Sequence, residues 1–180
     1  MVRPVSQVFD EMLVLYAVEG RRDAFEHLAR RWRPRHYTHA RRLLGRSDWA
    51  ADAVQDAWIA IIRGLWRLQD PIRFPAWSYA IVTRRCQDLL RRVSIAKESQ
   101  LDDRLDDGLE DTSARNSDDA RDLRRGLNLL PSDQRAAIAL FYLEGFSVSE
   151  IAEALMIPEG TVKTRLFHAR RTLRQYFEGD

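Results

Sequence analysis

The amino-acid sequence predicts an all-α protein of two small helical domains joined by an acidic linker. Three observations predict it. Apolar residues recur at spacings of three and four along most of the chain. Runs of β-branched residues are scarce, and one internal stretch is rich in acid and poor in large apolar side chains. At 180 residues the chain is long enough for one medium domain or two small ones.

The linker is read from charge. Between Lys97 and Asp122 there are ten acidic residues against four basic ones, so this segment carries −6 and the rest of the chain +8 within a net charge of +2. Two basic bodies on an acidic tether suggest nucleic-acid binding, with a connector that does not itself adhere to phosphate. The expected layout is a first domain over 1–95, a linker over 96–119 and a second domain over 120–180. The linker is expected to be a flexible tether, although Leu101, Leu105 and Leu109, spaced by four, are compatible with a short docked helix.

In the first domain, Phe9, Met12, Leu13 and Tyr16 are expected to line one helix face, closed by Gly20. Asp23 can cap a second helix carrying Phe25, Leu28 and Trp32, bent or interrupted at Pro34 and continuing through Tyr37, Ala40, Leu43 and Leu44 to Gly45. Ser47 or Asp48 caps a third, with Ala51, Val54, Trp58, Ile61, Ile62 and Leu65 inward. A loop over Asp70 to Pro75 precedes a fourth helix, from about Ala76 to Val93, with Trp77, Ile81, Val82, Cys86, Leu89, Leu90 and Val93 at helical spacing.

The second domain is sharper. A helix with Leu123, Leu127 and Leu130 ends at Pro131, and Ser132 caps the next, which Gly145 closes. Ser147 or Ser149 then caps a short helix with Ile151, Ala152 and Leu155 inward and Glu150 in its first turn. The turn Met156-Ile157-Pro158 leads into a last helix starting near Glu159 or Gly160. There Val162, Leu166, Ala169 and Leu173 fix the inward face, which leaves Thr161, Lys163, Thr164, Arg165, Phe167, His168, Arg170, Arg171 and Arg174 on the others. A helix held by a short partner across a tight turn, with polar N-terminal residues outward, is the geometry that enters a major groove. Its Arg and Lys side chains can reach phosphates or guanine edges, and a threonine methyl or an aromatic ring can meet thymine.

The strings LNLLPSDQRAAIALFYLEGFSVSEIAEAL and PEGTVKTRLFHARRTLR resemble region 4 of the bacterial RNA polymerase sigma factors, down to Glu150-Ile151-Ala152 and Gly160 through Leu166. SDWAADAVQDAWIAIIRGLWRL is similar to region 2.2 of that family, and PAWSYAIVTRRCQDLLRR to regions 2.3 and 2.4. The resemblance runs from about Phe25 to Phe177, with the acidic stretch standing where the family has a variable linker, and the two-domain layout is similar to the extracytoplasmic-function (ECF) subgroup.

The resemblance implies a transcription initiation factor that binds core RNA polymerase and directs it to promoter DNA. It implies minus 35 recognition by Thr161, Lys163, Thr164, Arg165, Phe167, His168, Arg170 and Arg171. It implies minus 10 recognition and melting by Trp77, Tyr79, Arg84, Arg85, Arg91 and Arg92, where aromatic surface receives unstacked bases and cations hold the single strand. On the isolated sequence Trp77 also fits core packing, since it lies on the Ile81 stripe, and Tyr79 is expected to be the more exposed.

Asp52, Gln55 and Asp56 match the motif that faces the clamp helices of the largest polymerase subunit. Three acceptors within about one turn, beside Val54, Trp58 and Ile62, suit a basic coiled-coil partner. The flap of the second-largest subunit and an anti-sigma protein are the other partners implied. Three positions depart from the family: Met156 where glycine is usual, Arg84 where asparagine is usual and Ser78 where leucine is frequent. The loop before Trp77 is also short. Promoter preference therefore does not transfer.

Other classes are disfavoured. There is no nucleotide-binding glycine loop or nucleophile-base pair, so no catalytic residue, cofactor or enzyme activity is expected. No metal site is expected either: Cys86 is the single cysteine and reads as a buried, inert thiol, while His27, His36, His39 and His168 lack convincing ligand spacing. His36 and His39 fit solvated or helix-packing roles better. Without a signal-like N-terminus or a membrane-spanning apolar run, a cytoplasmic protein is expected, held at the membrane only through an anti-sigma protein. The rival readings are a helix-turn-helix regulator acting without polymerase and a protein that only sequesters a partner.

Overall fold

A computed structural model describes residues 4–99 and 118–179, and every regular element among them is helical. The first half comprises α1 (Val5–Val18), α2 (Arg22–Leu44), α3 (Ser47–Gly64), short 3-10 turns at Leu65–Arg67 and Pro71–Arg73, and α4 (Phe74–Ser99). The second comprises α5 (Asp118–Asn128), α6 (Ser132–Ile138) with a π-helical turn at Ala139–Leu143, α7 (Val148–Leu155) and α8 (Glu159–Glu178).

Several local expectations are revised. α1 turns Asp10, Leu13 and Val14 inward and leaves Phe9, Met12 and Tyr16 exposed, because Asp10 receives the Arg31 guanidinium at 2.6 Å and draws that side of the helix onto α2. The exposed rings still find cations: Arg31 lies over Phe9 and Arg21 over Tyr16. α2 runs unbroken through Pro34, and the Thr38 hydroxyl donates to the Pro34 carbonyl at 2.9 Å.

Arg46 and Pro131, rather than Ser47, Asp48 or Ser132, precede α3 and α6, and neither helix has a side-chain cap. Asp48 sits in the first turn of α3, held down to about 2 first by the hydrogen bond from Arg46. On α3, Ala53, Val54, Ala57, Trp58 and Ile61 face inward, while Ala51 and Ile62 are exposed. α4 is longer than expected, reaching Ser99, and the rest of the acidic stretch, 100–117 with its three leucines, lies outside the described residues.

α4 is the spine. It packs against α2 and α3 on one side and α7 on another, and a continuous buried cluster runs from Leu13 and Trp32 through Tyr79 to Leu140, Ile151 and Ala169. Each large side chain removed from water there contributes roughly 2 to 3 kcal/mol. Gly64 permits the close approach of α3 and α4, since a Cβ at that position would stand 3.0 Å from the Trp77 ring.

An aromatic group closes the centre. Trp32, His36, Phe74 and Tyr79 meet edge to face or tilted, with ring centroids 5.0 to 6.2 Å apart. His36 and His39 are fully buried, as the helix-packing alternative requires. Ser78 donates its hydroxyl hydrogen to the Pro75 carbonyl at 3.0 Å, so the contact with His36 at 3.1 Å has the ring Nε2–H donating to Ser78 Oγ. His39 Nε2 pairs with Thr83 Oγ1 at 2.9 Å. Burial pushes both histidines down to about 3 and so keeps them neutral. Cys86 is buried, and that burial pushes its thiol up to about 12, the state of an unreactive core group.

Candidate nucleic-acid interface

The second half builds the expected helix-turn-helix. Ser147 accepts from the Glu150 amide at 3.2 Å, and the Glu150 carboxylate takes the Ser147 amide hydrogen at 2.8 Å, a reciprocal capping box that starts α7. Ser147, not Ser149, is therefore the cap. The turn is left-handed at Met156, with φ 53° and ψ 48°, and the Ile157 amide closes it by donating to the Ala152 carbonyl at 3.0 Å. Pro158, extended, precedes the first turn of α8.

α8 buries Val162, Leu166 and Ala169. Lys163, Thr164, Phe167, His168, Arg170 and Arg171 are exposed, and Thr161 is half-buried. Arg165 is the exception among the expected reading residues. Its guanidinium turns back to Asp133 in the first turn of α6 at 2.7 Å, leaving the side chain 22% exposed. It braces α8 against α6, and Asp133 also accepts from the Gln87 amide of α4 at 3.2 Å.

On α4, Arg84, Arg91 and Arg92 are exposed, while Trp77 and Arg85 are half-buried. The expectation for Tyr79 is reversed: it is 1% exposed, packed between the two histidine edges and Phe146, with its hydroxyl donating to the Glu144 carboxylate. Burial first, and then this hydrogen bond, push the phenol far up. The reason for the reversal is spatial, since Trp32, His36 and His39 of α2 together with Phe146 close over a position that helical periodicity alone leaves open. Asp52, Gln55 and Asp56 all lie exposed along one face of α3.

Trp66, Arg63 and Arg67 escaped the sequence reading. Trp66, 64% exposed, and Ile62 extend the α3 face beyond the acidic row. Beside them Arg63, Arg67 and Arg85 border an open groove of about 620 Å3. Arg85 was expected on the minus 10 face, but Arg63 on α3 and Arg67 in the turn after it lie too far from it in sequence for any linear motif to bring the three together. Among the described residues, no group of three or more potential ligands is placed to hold a metal, and no helix is long and apolar enough to cross a membrane.

Comparison with known proteins places these elements. Residues 28–94 match Sigma-70 region 2 and residues 120–173 match Sigma-70, region 4. The ECF RNA polymerase sigma factor SigM of Mycobacterium tuberculosis is 34% identical over 91% of this chain and 82% of its own length. Among solved structures, CnrH in complex with the cytosolic domain of CnrY superposes with a TM-score of 0.69 at 25% identity, covering 96% of this chain and 99% of CnrH. RpoE of Bartonella quintana, solved with the anti-sigma factor NepR, has a TM-score of 0.71 at 24% identity, covering 87% of this chain and 98% of that protein, and shares the fold.

Proposed function

The chain belongs to the ECF group of RNA polymerase sigma factors, and on that premise we propose how its surfaces divide the work of initiation. It binds core RNA polymerase and directs it to promoter DNA. The exposed side chains of α8 take the minus 35 element, with Lys163, Arg170 and Arg171 on phosphates or guanine edges and Phe167 and the threonine methyls against thymine. α4 holds the melted minus 10 strand through Trp77, Arg84, Arg85, Arg91 and Arg92. Tyr79 packs on Trp32, His36 and His39 inside the core and supports that helix from beneath. Arg165 serves recognition by orienting α8.

Asp52, Gln55 and Asp56 hold the clamp helices of the largest polymerase subunit, and the second domain meets the flap of the second-largest. Residues 1–95 and 120–180 act as separate domains, with 96–119 as the tether between them. The protein works in the cytoplasm as a non-catalytic factor. An anti-sigma protein that covers the polymerase-binding surfaces is a further partner, and one anchored in the membrane would hold the chain there.

The observation that carries this reading is the presence, in one chain, of a helix-turn-helix with an outward basic α8 and an exposed acceptor row on α3. A regulator that works without polymerase has no use for that row. The test mixes purified protein with core polymerase and follows co-elution and initiation on genomic promoter fragments. Stable binding and new start sites are expected, both lost when Asp52, Gln55 and Asp56 are replaced together by alanine. Absence of a complex with the unmodified chain overturns the reading.

A further inference from the structure

We propose that the outer face of α2 is a second contact for nucleic acid, one that holds the phosphate backbone of duplex DNA without reading its bases. The face is built on Arg30, Arg33, Tyr37 and Arg41 and is separate from α4 and α8. The choice of ligand rests on the functional reading above, whereas the stripe itself rests on placement and charge.

The placement follows from helix geometry. Arg30, Arg33, Tyr37 and Arg41 recur at spacings of three, four and four and so share one side of α2. Ala24, Leu28, Trp32, His36 and His39 bury the other side, against the rest of the first half. The stripe therefore points away from α4, and the phosphates it meets are not those of the melted strand there. The steps of about 1.5 Å per residue from Arg30 to Arg41 make it about 16 Å long, the span of about five phosphates along one strand of B-DNA.

Charge on this side has no use within the fold. Other arginines of α2 are paired: Arg22 with Glu26 at 3.0 Å, Arg31 with Asp10 at 2.6 Å and Arg42 with Glu144 at 2.8 Å. Arg41 donates to the Ser47 hydroxyl, which leaves its charge uncancelled. Arg30 and Arg33 are exposed and form no ion pair among the described residues. Like charges one turn apart repel and weaken a helix, so packing does not account for the pair.

A protein partner fits this face less well. Tyr37 is the one large apolar side chain exposed on α2, and the cores of protein interfaces are built on apolar and aromatic anchors with few charges. Separated cations with a phenol between them, able to donate to a phosphate oxygen, suit a backbone instead.

The full-length chain is tested without polymerase on a labelled duplex of mixed sequence, with affinity followed against salt. Arg30→Gln with Arg33→Gln is expected to weaken binding about tenfold at about 0.1 M salt. The slope of log affinity against log salt should fall by about 1.8, or about 0.9 for each lost phosphate contact. Arg30→Lys with Arg33→Lys keeps both charges and should retain the wild-type slope. Arg21→Gln with Arg125→Gln removes two charges elsewhere and should move affinity less than about twofold.

A second measurement does not depend on affinity. Cys86 is the single cysteine and is buried, so Tyr37→Cys supplies the one reactive thiol for a tethered iron chelate. Strand cuts are expected from that tether and not from the same tether at Val18→Cys on the exposed side of α1. Equal slopes for the wild type and the Gln pair overturn the proposal, as does a tether at position 37 that leaves the duplex uncut. Equal slopes with weaker binding of the Gln pair to core polymerase overturn it in favour of a protein partner. A chain whose slope responds but which fails to bind polymerase refutes the functional reading alone. One that initiates transcription while its slope stays fixed refutes the stripe alone.

Discussion

The Arg84 guanidinium donates to the Met156 thioether sulfur at 3.0 Å, joining two positions that the sequence reading singled out as unusual. Met156 is the only non-glycine residue at positive φ among the described residues. Its backbone strain, on the order of 1 kcal/mol, is set against a contact with a residue 72 positions away. Met156→Gly is expected to raise the unfolding free energy by up to about 1 kcal/mol, measured by urea denaturation. A loss of stability would mean that the sulfur contact outweighs the strain.

Ser78 gives a second expectation. Its oxygen is the acceptor for the buried His36 Nε2–H, and Ser78→Ala strands that donor in the core. A loss of about 1 to 3 kcal/mol is expected by denaturant unfolding. Wild-type stability in the variant would show that the ring finds another acceptor.

The same histidines set the acid response. Each is neutral when folded, at about 3, against an ordinary value of 6.5. Their burial is compatible with full stability above pH 6.5, where both states are unprotonated. As pH falls from 6.5 towards 3 the unfolded chain takes up protons that the folded chain refuses, so stability is lost across that window, by about 1 kcal/mol per pH unit for each histidine. Urea midpoints from pH 8 to 4 should be flat and then fall. A midpoint that stays level down to pH 4 would contradict the buried neutral pair.

Lys163 and Arg165 separate reading from bracing. Lys163→Ala should weaken minus 35 DNA binding, reduce its salt dependence by about one counterion and leave the melting temperature unchanged. Arg165→Ala should weaken binding and also cost on the order of 1 kcal/mol of stability, and Asp133→Asn should reproduce the stability loss. Equal melting temperatures for the Lys163 and Arg165 variants would return Arg165 to direct contact with DNA.

Helix type and order were legible because the apolar spacing on α3, α4 and α8 is regular and because caps and breakers mark the turns. The capping box at Ser147 follows from local chemistry that four residues encode, whereas the left-handed turn at Met156 runs against the preference of its residue. What was not legible lies between distant segments. Nothing near Tyr79 in sequence announces Phe146 or Glu144, and nothing near Arg165 announces Asp133. Asp10 reversed the reading of α1 because a carboxylate paired with an arginine can sit inward, where hydropathy patterning places only apolar side chains.

Arg135 donates to three backbone carbonyls, those of Leu43 at the end of α2, Asn128 at the end of α5 and Leu130 beyond it, each at 3.0 Å. Because the acceptors belong to the main chain, the bonds themselves do not read the side chains at those positions, but Leu43 and Leu130 are held by their own burial and only Asn128 can drift. Arg135 has no such latitude, since lysine lacks the fork needed to reach three oxygens at once. Mutational tolerance around this joint is therefore lopsided: Arg135 is fixed by its geometry, Leu43 and Leu130 by their burial, and Asn128 is the position left to vary.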